Sequence, residues 1–578
     1  MRVRRHAPLS CILLIGAALA ACAPATTPNA PSAAQPTAQA PSRTLVMVTR
    51  AEPSTLSGTL LLSLGIGATA NRRPFNAALA ILDSNLEPRP YLAERLPELN
   101  SGDWQVFPDG RMETTYRLKP NLTWHDGSPL TAADFVFAWR IYTTPEFGTS
   151  TSPPHTHMQE VLAQDDRTLH IRWSKPYPEA GALTGLGGAG ASPSFDPLPR
   201  HLLEPPYQQD PKSFPNLSFF TVDFVGAGPY RLDRWESGSF IEGAAFDGHA
   251  LGRPKIDRLR IIFNSDQNTT LAVMLSGEAH LPMDDSLGIE QGNALKQDWD
   301  ARQAGTVRYL PSTARYVRVQ FRPEYVKPRA LLDVRFRRAL AYTMDKKSIN
   351  EVLFDGNAQM SDSLIPPEVV RKTGVDTSII PVYRFDPRQA EQLMQQGGYT
   401  KDRDGFYANS TEGRINVEIK NITNPRNDSE RATIANGWRQ SGIEIDETNF
   451  LPQQARDNQA LSTFRSLSPT GGVPDVGRFL YFLSSELSSP DTQWVGSNRG
   501  GWSNPDYNHN VELFNVTLDA RQRGQYLVQA ARIINEDLGV IPLYYAPTVL
   551  AYPVALRGID TVNSTDNALW NINDWVLE

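Results

Sequence analysis

The sequence predicts an α/β protein of two lobes with an extra subdomain. Three observations carry this expectation. The chain has 578 residues, more than one hydrophobic core usually serves, so two or three domains are expected. Stretches with the period-2 alternation of strands and stretches with helical spacing follow one another along most of it, the pattern of α/β lobes. The only cysteines are Cys11 and Cys22, so neither an internal disulfide nor a cysteine-based metal site can exist in the folded body. Hydrophobic residues make up 40%, ordinary for a soluble protein, and the 45 prolines and 40 glycines are scattered, which suits many loops between short strands. A net charge of −7 without a basic stripe argues against nucleic acid as a partner.

Both cysteines fall in an export segment. Arg2, Arg4 and Arg5 form a basic start, and residues 11–21 form an apolar run too short to span a bilayer permanently. The run ends in Leu19-Ala20-Ala21-Cys22, which resembles a bacterial lipobox. That resemblance implies a signal peptide over residues 1–21, cut before a lipid-bearing Cys22. Residues 23–42 lack apolar periodicity and are rich in Pro, Ala, Thr and Ser, so residues 22–43 read as an unfolded tether. A lipid on such a leash holds a globular body at a membrane surface. No later stretch has about 18 consecutive apolar residues, so no transmembrane span is expected.

The body is organised around residues 115–140. Tyr116, Leu118, Leu122 and Trp124 alternate as a strand with one buried face. His125-Asp126-Gly127-Ser128-Pro129 turns the chain. Thr131 stands where an N-cap belongs, with Asp134 three residues on as its capping-box partner and as a negative charge in the positive first turn. Phe135, Val136, Trp139 and Ile141 or Tyr142 give the following helix an apolar stripe. The wording Tyr116-Arg117-Leu118, Trp124-His125-Asp126-Gly127, Pro129, Thr131-Ala132, Asp134 and Trp139-Arg140 resembles the signature of extracytoplasmic solute-binding protein family 5, whose members deliver oligopeptides, dipeptides and nickel to ABC transporters.

Further segments carry the same resemblance from about Thr44 onward. Residues 44–48 read as a strand, 76–82 as a helix, 167–173 and 313–321 as strands, the second at the lobe junction. Val225-Gly226-Ala227-Gly228-Pro229-Tyr230 resembles a family element whose glycines allow a close chain approach. In Ser276-Gly277-Glu278-Ala279-His280, His280 replaces the family's usual Asp. Residues 333–345 form an amphipathic helix whose arginines are solvated or paired with Asp333 and Asp345 rather than ligands for an anion. Residues 385–399 hold a helix ended by Gly, 415–419 and 442–445 strands, 434–438 part of a helix, and 541–545 a closing strand. Three motifs read as plain structure. Residues 185–190 fit GxGxxG by letter but precede prolines rather than a helix. His155 and His157 lack a ligand cluster, and Asp402-Arg403-Asp404-Gly405 lacks the downstream carboxylate of a calcium loop.

The resemblance implies the two-lobed periplasmic-binding-protein fold (type II, cluster C). Lobe I comprises residues 44–75, 200–310 and 546–578, with the extra subdomain at 76–199, and lobe II is 311–545. It also implies a monomeric binder that closes two jaws on a peptide or peptide-like solute and presents it to ABC permease subunits. In peptide-binding members a Trp-x-x-Asp element in the second lobe supplies a carboxylate for the peptide's α-amino group. Here Pro469 and Gly472 fall at those positions. A buried ammonium without a counter-charge is costly, so either Asp475 substitutes or the ligand lacks that amine. In the segment from Asn498 to Tyr507, Arg499 can fork onto a carboxylate and Trp502 can stack on a planar group, the alternative being a surface loop with Trp502 in the core. Asn498, Tyr316, Phe464, Arg465 and Tyr481 are further candidates by position.

No GxSxG elbow, HExxH or GxxxxGK[ST] occurs, and no spacing singles out an acid–base pair of carboxylates. The expectation is therefore a binder without catalysis, cofactor or metal. Its alternatives are a non-peptide solute binder (sugar derivative or metal chelate), a sensory or structural lipoprotein of the same fold, and an exported hydrolase.

Overall fold

The computed structural model describes residues 43–57, 72–147, 153–185, 195–451, 453–472, 474–560 and 568–578. The signal peptide, the lipidation cysteine Cys22, the tether up to residue 42 and most of the GxGxxG stretch lie outside them.

Strand β1 (Thr44–Thr49) buries Leu45, Met47 and Val48. A strand apolar on both faces belongs inside a sheet with parallel neighbours, and β1 has one on each side. Residues 76–82, expected as a helix, instead end in a short strand, Ala80–Leu82, paired with Pro88–Pro90. Tertiary contacts override the local preference: Asn76 Nδ2 donates to the carbonyls of Leu56 and Arg72, and Gly228 packs against the backbone of Phe75.

Strands β2 (Trp104–Val106), β3 (Met112–Arg117), β4 (Met158–Ala163) and β5 (Thr168–Trp173) make an antiparallel sheet in the order β2-β3-β5-β4. Met112, Thr114 and Tyr116 face its core, and Leu118, Leu122 and Trp124 continue that face. The turn after Trp124 docks on residues 226–228. His125 N donates to Gly226 O at 2.9 Å, and Gly226 N donates back to His125 Nδ1 at 3.2 Å. This approach needs glycine, since a Cβ on Gly226 would lie 2.0 Å from Phe75 O. Helix α1 (Ala132–Tyr142) carries the expected capping box, Asp134 Oδ2 accepting from Thr131 N at 2.8 Å. Its buried face includes Phe137 and Ala138, while Val136 and Trp139 are half-buried, because the helix at Arg200–Gln209 covers a second side through Tyr207.

Strands β6 (Tyr230–Glu236), β7 (Phe240–Ala245), β8 (Arg258–Phe263) and β9 (Leu281–Pro282) complete the first lobe's sheet in the order β9-β1-β8-β7-β6. His280 holds β1 by accepting from Val46 N at 3.0 Å. Helix α2 (Ile289–Arg302) follows.

Strand β10 (Gly305–Val319) then crosses to the second lobe, and the last long strand, antiparallel to it, brings the chain back. Between them come α3 (Val334–Tyr342), α4 (Lys346–Phe354), β11 (Gln359–Met360) and α5 (Pro387–Gln396). Next are β12 (Asn416–Ile422), α6 (Pro425–Gln440), β13 (Glu444–Phe450), β14 (Leu467–Gly472), α7 (Pro505–Val516) and α8 (Ala520–Asp537). The returning strand is β15 (Val540–Pro553), and the sheet order is β11-β15-β10-β14-β12-β13. On α3, Arg335 pairs with Asp333, whereas Arg337 and Arg338 donate to the carbonyls of Asp537 and Glu536, neutralising the negative end of α8.

Burial lowers His125, His155, His157 and His249 from 6.5 to about 4. The unfolded chain therefore takes up protons that the fold refuses between those values, so stability is full above the unfolded value and falls as pH drops through the window. Thermal unfolding followed by circular dichroism should give a Tm that declines steadily from about pH 6.5 to about pH 4. A Tm flat across that interval would contradict the neutral burial of these rings.

Candidate functional site

Strands β1, β8 and β9 are mutually parallel in the first lobe, and β12, β13 and β14 in the second. In open α/β sheets the crevice beyond the carboxyl ends of parallel strands is where ligands bind, because loops there splay apart. A contact joins the two sets of carboxyl ends. Asp285, just beyond β9, lies 3.2 Å from Arg426, which follows β12 in the first turn of α6. Asp285 Oδ1 also accepts from Thr548 Oγ1 of β15 at 2.6 Å. Asp284 and Asp285 both take positive φ, 54° and 56°. Elsewhere Asn293 of α2 donates to Asp355 beyond α4 at 2.6 Å, and Arg523 of α8 pairs with Glu179.

Beside the Asp285–Arg426 contact β10 and β15 pass from lobe to lobe. Arg315 of β10 donates through Nε to Glu430 Oε1 at 3.0 Å and pairs with the same carboxylate through Nη2, while Tyr544 OH also donates to it. Glu430 is fully buried and the Arg315 side chain is 10% exposed. Burial alone disfavours the Arg315 charge, but Glu430 and Tyr544 outweigh it and raise the guanidinium above its ordinary range.

The sequence candidates fall in several places. Gly472 ends β14, and the Arg478 guanidinium lies over it: a Cβ there would come within 1.8 Å of Arg478 Nη2. Arg478 also sits 4.3 Å from the Tyr481 ring centroid. Asp475 is 3% exposed nearby, and burial raises Tyr481. Tyr316 pairs with Thr470 across the β10–β14 ladder and meets Phe482 edge-on at 5.7 Å. Arg499 donates to Asn458 Oδ1 at 2.9 Å, and burial followed by the charge of Arg318 lowers it to about 10. Asn498 is a loop staple whose Nδ2 reaches the carbonyls of Phe482, Leu483 and Trp502. Trp502 is buried in the core shared with Tyr316, edge-on to Tyr507 at 4.9 Å, its Nε1 donating to Asp537. Phe464 packs with Phe450 and Leu461 in a small separate cluster. Arg465 bonds to Asn416, the first residue of β12, and so stands at the amino edge of the sheet.

The sequence reading missed Arg315, Glu430, Asp285, Arg426 and Arg478. Each acquires its partner through the fold; only the lone charge of Arg315 inside an apolar alternation gave a signal. Among the described residues no group of three or more His, Cys, Asp or Glu gathers as a metal cage, and no helix is long and apolar enough to cross a membrane.

Two α/β lobes joined by a two-stranded ribbon, with parallel-strand ends meeting at Asp285 and Arg426, match the two-lobed architecture of solute-binding proteins. The chain belongs to the bacterial extracellular solute-binding proteins of family 5, whose middle-region model matches residues 87–492. It is 23% identical over 505 residues to the dipeptide-binding protein DppE of Bacillus subtilis, covering 83% of each chain. It is also 23% identical to the oligopeptide-binding protein AppA of the same organism, covering 98% of each. The fold is similar to that of NikZ from Campylobacter jejuni in complex with Ni(L-His), with a TM-score of 0.72 and 21% identity over 93% of this chain and 100% of that one.

Replacing Glu430 with Ala should cost about 3–5 kcal/mol in urea denaturation, because it strands the buried Arg315 charge. Loss of less than about 1 kcal/mol would show that Arg315 finds water instead.

Proposed function

We propose that this protein captures a peptide or peptide-like small solute between its lobes and delivers it to the permease of an ABC importer, without changing it. The observation that carries this reading is the family match over residues 87–492, supported by the Asp285–Arg426 pair that joins the parallel-strand ends of the two lobes. The relatives named for dipeptides and oligopeptides favour a peptidic ligand. A second reading, a solute without a peptide amine, is favoured by the guanidinium lying over Gly472 where a carboxylate would receive that amine. We place the solute against Tyr316, Tyr481, Asp475 and Arg499, with lobe I taken as 44–75, 200–310 and 546–578 and lobe II as 311–545. The working form is a monomer held at the outer face of the membrane by a lipid on Cys22.

Native mass spectrometry of the purified protein should reveal a co-purified solute that is released unchanged on denaturation. Steady conversion of that solute by the protein would overturn the assignment. Separately, Cys22→Ser should move the protein from the membrane fraction to the soluble one; unchanged membrane association would remove the lipid anchor.

A further inference from the structure

Helices α7 and α8 of the second lobe are joined by a short tip, Thr517-Leu518-Asp519, that reaches the first lobe. The tip is held in shape at both ends. Thr517 N donates back to Leu513 O at 3.0 Å, and Asp519 caps α8 by accepting from Gln522 N at 2.7 Å. Two of its side chains leave their own lobe. Leu518 packs against the core cluster of the first lobe and its subdomain, not against the cluster that holds Phe514, Leu527 and Val528. Arg523, in the first turn of α8, lies 4.3 Å from the Phe514 ring centroid and donates through Nε to Phe514 O at 3.0 Å. So positioned, its Nη2 pairs with Glu179.

Glu179 stands on a loop of the extra subdomain that is fixed just as firmly. Tyr177 stacks on Trp173 of β5 at 5.2 Å and meets His157 edge-on. The buried Tyr116 hydroxyl of β3 donates to Ala180 O at 2.6 Å and accepts from Leu183 N at 3.1 Å. The loop therefore offers Glu179 at one place, against the positive first turn of α8, where a carboxylate is favoured. The other charged residues of the two segments, Lys175, Asp519 and Arg521, are exposed. Two surfaces shaped in advance lose little entropy on meeting. Joined by one half-buried leucine and one wet ion pair, they also part easily.

We propose that the α7–α8 tip and the Glu179 loop form a latch, by which the extra subdomain holds the second lobe against the first when no solute is present. Leu518 supplies the part of the hold that salt does not weaken, and Arg523 with Glu179 the part that it does. The latch stands on these contacts and not on the identity of any solute. It biases the protein toward the closed arrangement by a few-fold and does not lock it.

The test uses the whole chain in a Cys11→Ser, Cys22→Ser background after exhaustive dialysis. Spin labels on Lys175→Cys and Ala520→Cys give the distance across the latch by pulsed electron resonance. A second pair, on the exposed Val106 of β2 and Val352 of α4 as Val106→Cys and Val352→Cys, lies outside both latch segments. At low salt each pair should show a predominantly short distance. Glu179→Gln, or salt at about 1 M, should raise the proportion of a longer distance by about two- to fivefold in both pairs. Leu518→Ser should raise it further, with Leu518→Ala in its place if the serine variant does not fold. Glu179→Arg combined with Arg523→Glu should recover part of the short distance that either reversal alone loses. Melting temperatures close to that of the parent check that the variants fold. Distances unchanged by every variant would overturn the latch, as would a parent protein already open at low salt. Lengthening confined to the first pair would mean that the tip frays while the lobes stay put, and would overturn it too.

Discussion

Two strands that each run through both lobes constrain the rest of this structure. The outer parts of β10 and β15 pack with Val48, Leu295 and Trp299 of the first lobe, through Val307, Tyr309, Val549 and Ala551. Their other halves, through Val317, Val319, Ile541 and Leu543, lie in the core under α3, α5 and α6. A ribbon anchored in two separate cores can bend only where it is weakest. That point is written into it: Pro311 faces Pro547, so neither can donate to the ladder, and the register shifts beside it, between Pro311 and Thr313. A second shift falls between Arg315 and Tyr316, where the buried Arg315–Glu430–Tyr544 group ties the ribbon to α6. The ladder is therefore weakest over residues 311–316, between the two cores.

The contacts between the lobes are of a different kind from those that build them. Arg426 is 32% exposed, its partner Asp285 only 8%, and the Arg523–Glu179 pair is 21% and 43% exposed. A pair as wet as Arg523–Glu179 contributes little, on the order of 0–1 kcal/mol, and salt screens it. A broad apolar contact would fix the lobes in one arrangement. Weak polar contacts let the balance between open and closed be set by whatever occupies the space between, which is what a hinged clamp requires.

The features readable in the sequence are those whose causes are local. The capping box at Thr131 and Asp134 is three residues long, and the glycines at 226 and 228 announce a close approach without naming what approaches. Residues 76–82 misled because alanines favour a helix while the deciding bonds come from Leu56 and Arg72. The site is harder still. Arg315 sits in a strand whose alternation names no partner for it, and Glu430 arrives from a helix 115 residues later. No spacing encodes that meeting. The arginines of residues 333–345 show the same limit: their exclusion as anion ligands was readable, yet their partners were the end of a helix from the far end of the lobe.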